Sequence, residues 1–231
     1  MNILAFVPAR AGSQTIKRKN MALLGGRPLI NHCLTKIAHH TLITDIVVST
    51  DDWGVSDHVT SHFPEMQIHS RPPRFTDGVS YTIRDVVADF ISKQDDLPDA
   101  VLLVQPTSPF FHKDHITKLV NLLDKNAMAN SAHTICKVEH NSHSWNQRFI
   151  VGDKVDWIFP RERVEAPRKQ SKPAHYIFGN LLLTRTAAIF SKLDLFAMPS
   201  RYVEVDRLSS IDIDSPEDLV IADALIQAGV L

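Results

Sequence analysis

The first stretch of the sequence that could do chemistry is the loop VPARAGSQTIKRKN, residues 7–20, which follows an apolar run. It matches neither GxxxxGK[ST] nor GxGxxG, the two common glycine-rich nucleotide patterns. Four of its side chains suit phosphate oxygens: Arg10, Ser13, Lys19 and Asn20. Side-chain charge, helped by backbone amides around residues 11–13, could therefore bind a phosphate group. A solvated basic surface loop remains an open alternative.

A second stretch, SSIDIDSPEDL at residues 209–219, carries two closely spaced carboxylates. If residues 211–214 are extended, Asp212 and Asp214 project from one face, because side chains alternate along a strand. Such a pair suits Mg²⁺, which completes its coordination with water and substrate phosphate. The alternative is a helix start, with Ser215 as N-cap, Pro216 at the first helical position and an acid at the third.

Polar groups also follow three other apolar or loop segments. STDD (residues 49–52) and QPTSP (residues 105–109) each end an apolar run, and Gln105 opens the second. Arg71 lies in SRPPRFTD and could contact a phosphate or a base. Taken singly, these stretches are equally typical of strand ends, a proline-bounded turn and a solvated loop arginine.

The elements that must position these groups alternate along the chain. Short apolar runs at 2–8, 45–50 and 100–105 predict buried strands, and helical spacing predicts helices over 28–39, 79–92 and 114–123. This order predicts an α/β fold with a mostly parallel sheet, in which ligands bind beyond the carboxyl ends of the strands.

The second half of the chain contains an interruption. After a predicted strand at 132–138, residues 139–175 are polar and include the basic run PRKQSKP. We interpret this segment as an arm or lid inserted into a single domain, 1–231, rather than as a second domain. The pattern resumes with a strand at 176–184, the strand-like SIDID and a helix at 216–227.

Composition excludes several classes of function. The formal net charge of the 231 residues is −1, which argues against binding nucleic acid or a membrane surface through bulk electrostatics. No apolar run approaches the roughly 18 residues that span a bilayer. Cys33 and Cys136 show no disulfide or zinc spacing, and no signal-peptide pattern opens the sequence, so we expect a cytoplasmic protein.

Together, in order, six segments resemble the acylneuraminate cytidylyltransferases, also called CMP-sialic acid synthetases: VPARAGSQTIKRKN, LLGGRPLI, VVSTDD, RPPRFTD, LLVQPTSP and SIDIDSPEDL. The resemblance covers nearly the whole chain. It implies a Rossmann-like nucleotidyltransferase domain that transfers CMP from CTP to a 2-keto sugar acid of the sialic type and releases pyrophosphate. It also implies a need for Mg²⁺ and a homodimer in which an arm of one subunit reaches its partner's active site.

The resemblance further implies roles for individual residues. The groups that would hold the CTP phosphates are Arg10, Ser13, Lys19 and Asn20. The further nucleotide contacts would be Arg71 and Ser80, and the sugar-acid contacts Gln105 and Arg168. The metal ligands would be Asp212 and Asp214. Since such transfers depend on positioning and charge, we expect Arg10, Lys19 and Asp212 to be the catalytic groups.

Several positions depart from the family pattern. The usual Lys-Gly-Ile-Pro after Ser13 is replaced by QTIK at 14–17, Phe111 stands where an arginine is usual, and the usual Asn-Gly is Gly179-Asn180. These changes leave the acceptor open among N-acetylneuraminate, legionaminate, pseudaminate and other acid sugars. Transfer to 3-deoxy-octulosonate is a separate alternative within the enzyme class. A catalytically inactive nucleotide-binding regulator and an interaction protein built on the same scaffold are the remaining alternatives.

Overall fold

The computed structural model describes residues 1–76, 79–191 and 194–230. In chain order, the strands are β1 (Ile3–Pro8), β2 (Leu23–Leu24), β3 (Arg27–Pro28), β4 (Asp45–Thr50), β5 (Gln67–Ser70), β6 (Ala100–Val104), β7 (Ser131–Lys137), β8 (Arg148–Val151), β9 (Lys154–Trp157), β10 (Tyr176–Arg185) and β11 (Ser200–Val205). The helices are α1 (Leu29–Ile37), α2 (Trp53–His62), α3 (Ile83–Ile91), α4 (Lys113–Asp124), α5 (Pro160–Glu165), α6 (Thr186–Ser191) and α7 (Pro216–Gln227).

A seven-stranded central sheet organises these elements, with the strand order β11-β7-β10-β6-β1-β4-β5. β10 runs antiparallel to both of its neighbours, while the other pairings in the sheet are parallel. The predicted α/β class and mostly parallel sheet are confirmed. Parallel strands with continuous apolar sequences require cover on both faces, which the helices provide.

Two apolar layers sandwich the sheet. On one face, α1, α2 and α4 contribute side chains such as Leu34, Val59 and Leu119 to a buried cluster. On the other face, α3 and α6 contribute Phe90 and Ile189. The sheet is therefore rigid at its centre, and its strand ends are fixed in space.

A third, smaller cluster anchors the C-terminal part of the chain beside the first loop. Buried Leu24 and Leu29 pack with Phe110, Ile213 and Ala222. Through this cluster, helix α7 and the segment before it are held against β2, the start of α1 and the loop that follows β6.

Some predicted elements are wrong in detail. Residues 211–214 form no strand. The helix predicted over 79–92 begins at Ile83, because Thr82 and Asp85 form a capping box that stops it from extending backwards. The sequence analysis also missed α2, β5, α6 and β11. In α2, only Val55 and Val59 are buried, so its apolar periodicity is weak.

The segment between β7 and β10 lies outside the central sheet. It holds a separate hairpin of β8 and β9, followed by α5. The ring of Trp157 has guanidinium groups of Arg148 and Arg163 each 4.0 Å from its centroid, so the hairpin and α5 are joined by cation–π contacts. In the described part of the chain, no helix is both long and apolar enough to cross a bilayer.

Candidate active site

A polar cleft of about 590 Å³ opens beyond the carboxyl ends of β1 and β6. Seven residues singled out from the sequence line it: Arg10, Ser13, Lys19, Asn20, Gln105, Asp212 and Asp214. They come from three parts of the chain that are about 100 residues apart. The parallel sheet brings them together, because β1 and β6 are neighbours and end at the same edge.

The loop after β1 presents its side chains rather than its backbone amides. The Ala11 N–H donates to Asp51 Oδ1 at 2.8 Å, and the Ser13 N–H donates to the Ala11 carbonyl at 2.9 Å. Two of the three amides that were expected to face a phosphate, those of Ala11 and Ser13, therefore form hydrogen bonds within the protein. The Asn20 side-chain amide donates to the Arg10 carbonyl at 3.1 Å and so fixes the loop behind the Arg10 guanidinium.

The two predicted metal-ligating carboxylates both line the cleft, although the segment that carries them is irregular. Ile213 is fully buried between the exposed Asp212 and Asp214. Exposed and buried side chains therefore alternate here as they would in a strand, although no strand is formed. The Ile213 N–H donates to the Thr107 carbonyl at 2.8 Å, and the Ser108 hydroxyl donates to Asp212 Oδ1 at 3.1 Å. The QPTSP loop therefore supports the acidic segment directly.

The competing interpretation, a helix start, also describes this segment correctly. Ser215 caps α7, and its hydroxyl accepts the Asp218 N–H at 3.2 Å. Hydrogen bonds from Ser215 lower the pKa of Asp218 below its ordinary value, as expected for a carboxylate in a capping box. Because Ser215 and Asp218 satisfy the helix end, the carboxylate of Asp214 is not needed as a cap.

Lys19 connects the basic loop to the acidic segment. Its ammonium lies 3.0 Å from Asp214 Oδ1 and donates to the Ile213 carbonyl at 3.0 Å. The Lys19 side chain is 13% exposed, whereas that of Asp214 is 75% exposed. The cation is therefore held in place while the carboxylate keeps a free face toward the cleft.

A second cavity of about 280 Å³ adjoins the cleft, and Arg10 and Gln105 line both. Its other walls include Arg71 and two aromatic rings, Phe75 and Tyr81, which meet edge to face at 5.0 Å. Flat apolar walls beside a guanidinium are suited to a heterocyclic base.

Arg71 is held rigidly at this second cavity. It is only 8% exposed, and its guanidinium donates to the Ser49 hydroxyl and carbonyl at 3.3 and 3.2 Å. Burial lowers the pKa of Arg71, and nearby Asp51 opposes that effect. Ser49 thus holds Arg71, and Asp51 holds the loop that follows β1.

Two predicted site residues do not line either cavity. Ser80 is exposed and directly precedes Tyr81, a residue that lines the smaller cavity. Arg168 lies in the inserted segment, exposed, with its N–H donated to the Ser171 hydroxyl at 3.2 Å.

Phe75 and Tyr81 are the residues that the sequence analysis missed. Tyr81 had been placed inside a helix, and the TIRD sequence at 82–85 was the available signal that the helix begins later. Among the departures from the family pattern, Gln14 and Thr15 line the cleft, whereas Phe111 is fully buried in the core.

Comparisons with known proteins agree with this architecture. Residues 4–191 match the family described as Cytidylyltransferase. The CMP-N,N'-diacetyllegionaminic acid synthase of Legionella pneumophila is 27% identical over 235 residues, which cover 98% of this chain and 97% of that protein. The 8-amino-3,8-dideoxy-manno-octulosonate cytidylyltransferase of Shewanella piezotolerans is 24% identical over 248 residues, with coverage of 97% and 98%.

The N-acylneuraminate cytidylyltransferase A of Danio rerio is 25% identical over 228 residues, and this chain spans about half of its length, 50%. Among solved structures, a CMP:2-keto-3-deoxy-manno-octonic acid synthetase complexed with CTP superposes with a TM-score of 0.75 at 16% identity, covering 99% of this chain and 100% of that one. That likeness supports the nucleotidyltransferase fold. The match over residues 4–191 shows that this chain belongs to the cytidylyltransferase family.

Proposed function

We propose that this protein transfers CMP from CTP to a sialic-type nonulosonic acid and releases pyrophosphate, forming the CMP-sugar. The observation that carries the proposal is the convergence of Arg10, Lys19 and an acidic pair in one cleft beside a base-sized aromatic cavity. Family membership supports the use of a cytidine nucleotide.

The two cavities suggest how CTP is bound. The triphosphate would lie in the larger cleft against Arg10, Ser13, Lys19 and Asn20. The cytosine would lie in the smaller cavity near Arg71, with Ser80 at its edge. Because Arg10 lines both cavities, its guanidinium is placed to contact the phosphate next to the nucleoside.

The proposed reaction is a displacement at the α-phosphorus. An anomeric hydroxyl oxygen of the sugar acid forms a bond to that phosphorus and loses its proton to water. The bond from phosphorus to the bridging oxygen breaks, and pyrophosphate leaves with the electron pair. Negative charge grows on the leaving group, so the fixed cations of Arg10 and Lys19 stabilise the transition state. Lys19 is already held 3.0 Å from Asp214, which reduces the reorganisation needed.

The cleft also has the donor set for a hard divalent cation. In the residues that the structure describes, no three His, Cys, Asp or Glu side chains converge on a metal-sized site. A pair of carboxylates nevertheless matches Mg²⁺, which takes its remaining ligands from phosphate and water. Asp212 and Asp214 would hold the ion. When bound, Mg²⁺ would neutralise triphosphate charge and polarise the α-phosphate.

The acceptor is proposed from the relatives and from the polar rim. The Legionella relative, of nearly the same length, is named for a diacetyllegionaminic acid product, which favours a nine-carbon acid. Gln105 lines both cavities, which supports its assignment as an acceptor contact. Transfer to an octulosonate is the second candidate, because relatives with that activity in their names align over the same span.

The test is a pyrophosphate-release assay with CTP and a panel of eight- and nine-carbon 2-keto sugar acids. We expect release with CTP, Mg²⁺ and a nine-carbon acid together, and none when the metal is omitted. Asp212→Asn should lower turnover by about 100-fold or more while the circular dichroism spectrum is unchanged. Preference for the eight-carbon acids would favour the second candidate, and CTP binding without turnover on any acid would favour a regulatory protein.

We also propose a homodimer in which the inserted segment of one subunit completes the site of the other. Arg168 is exposed and lines neither cavity of its own chain, and the β8–β9 hairpin exposes Phe149, Ile150 and Val155. Mixing Arg168→Ala subunits with Asp212→Asn subunits should restore activity, since some mixed dimers hold one intact site. A monomeric mass in sedimentation, or no recovery on mixing, would reject this arrangement.

A further inference from the structure

A buried asparagine connects the sheet interior to the segment that carries the acidic pair. Asn180 is fully buried in β10, at the point where the pairing register with β7 shifts between Phe178 and Leu182. The preceding residue must be small, because a Cβ on Gly179 would lie 2.7 Å from the Thr134 hydroxyl oxygen. The close approach of β7 and β10 therefore creates a confined site for one polar side chain.

Each polar group of the Asn180 side chain has a partner there. The Thr134 hydroxyl donates to Asn180 Oδ1 at 2.8 Å and accepts the backbone N–H groups of Asn180 and Leu181 at 2.8 and 2.9 Å. Asn180 Nδ2 donates to the Ser209 carbonyl at 2.7 Å. A buried amide is retained only where its hydrogen bonds are satisfied, so this side chain has one favourable orientation.

Ser209 is the first residue of the acidic segment, residues 209–219. Ser209 is 1% exposed, and its N–H and hydroxyl both donate to Asp206, at 2.9 and 2.7 Å. Three residues later, Asp212 enters the cleft. No regular secondary structure holds residues 211–214, so their position depends on such contacts.

We propose that Asn180 is a positioning residue that holds the Ser209 carbonyl, and through it places Asp212 in the cleft. Different parts of the protein then hold the two ends of residues 209–213. Asn180 holds it from the sheet interior, and the QPTSP loop holds it at Ile213 through the Thr107 carbonyl. Losing the first contact frees the segment to move relative to the cations of the cleft. The part of this inference that concerns catalysis rests on the proposed function.

The test compares Asn180→Ala with Leu183→Ala, a matched truncation of a fully buried core residue on the same strand. Hydrogen exchange measured by mass spectrometry reports the segment directly, whatever the protein's activity. We expect amides in residues 206–214 to exchange about 10- to 100-fold faster in Asn180→Ala. The substitution removes a buried hydrogen bond and leaves the Ser209 carbonyl without its donor. Leu183→Ala should not produce this local change.

Two further readouts connect the segment to function. Titration with Mn²⁺ in the presence of CTP, followed by electron paramagnetic resonance, should show about tenfold weaker ion binding in Asn180→Ala only, and turnover should fall by about 100-fold. If Asn180→Ala does not fold, Asn180→Ser replaces it, since the serine hydroxyl can still meet Thr134 but is too short to reach Ser209.

Equal exchange of residues 206–214 in the Asn180 and Leu183 variants would overturn the inference. Faster exchange with unchanged ion binding and turnover would reject its catalytic part. If the wild-type protein neither binds CTP nor releases pyrophosphate, the proposed function fails, and the exchange result still decides whether Asn180 holds the segment.

Discussion

Lys36 lies in α1 with its ammonium group buried against the QPTSP loop. The ammonium donates to the Pro109 carbonyl and lies 5.1 Å from the centroid of the Phe111 ring. Burial lowers the pKa of Lys36 from 10.5 to about 8, with nearby Cys33 acting in the opposite direction. Without solvent screening this difference corresponds to about 3 kcal/mol of folding free energy, at about 1.4 kcal/mol per pH unit. Because Lys36 is only partly buried, screening by water reduces the value to about 1–2 kcal/mol.

The direction of this pH dependence follows from the number of protons that the folded and unfolded states bind. Between pH 8 and 10.5, unfolded Lys36 is protonated while the folded residue has lost its proton, so the unfolded state binds more protons and stability rises with pH. Below pH 8, the full cost of burying the ammonium is present. Lys36→Met keeps the apolar stem and removes the titrating group.

The assay is urea unfolding of the wild-type protein and Lys36→Met at intervals from pH 7 to 10. We expect the free energy of unfolding of the wild type, relative to the variant, to increase by about 1–2 kcal/mol across this range. Lys118→Met, which removes an exposed lysine paired with Asp114, is the control for the loss of one positive charge. A difference between wild type and Lys36→Met that is constant with pH, or that falls, would refute the argument.

Two further predictions concern the cleft and the sheet. Lys19→Met removes both a cleft cation and the partner of Asp214, so we expect kcat/KM for CTP to fall by about 100-fold, with a loss in kcat and little change in Tm, measured by steady-state kinetics and thermal unfolding. Gly179→Ala places a methyl group 2.7 Å from Thr134 Oγ1 and should lower the free energy of unfolding by about 1–3 kcal/mol, whereas Gly12→Ala, with its nearest atom 3.7 Å away, should not.

The sequence was sufficient for the parts of the fold that depend on local pattern. Apolar runs gave the central strands, helical spacing gave α1 and α4, and the helix-start signal at residues 215–218 gave α7. Helix α2 was not predicted, because only two of its residues, both valines, are buried. The edge strand β11 (Ser200–Val205) was not predicted either, because its apolar and polar residues do not alternate regularly. Edge elements bury fewer side chains, so their sequences are less constrained.

The site was predictable where a residue's role depends on its own chemistry. Arg10, Lys19 and the two aspartates were expected in one site from residue type and spacing, and all four line the cleft. The support of Asp212 by Ser108 depends on tertiary contacts between residues 104 positions apart, which no local pattern records. The aromatic wall at Tyr81 was missed because the helix start was placed too early.

The most direct test of the central claim follows the α-phosphate itself. The protein is incubated with Mg²⁺, a nine-carbon 2-keto sugar acid and CTP labelled with ³²P at the α-position, and the products are separated by chromatography. The account predicts that the label moves into a CMP-sugar in one-to-one yield with unlabelled pyrophosphate. Label that stays in CTP with every acceptor, or that appears only in free CMP, would contradict it.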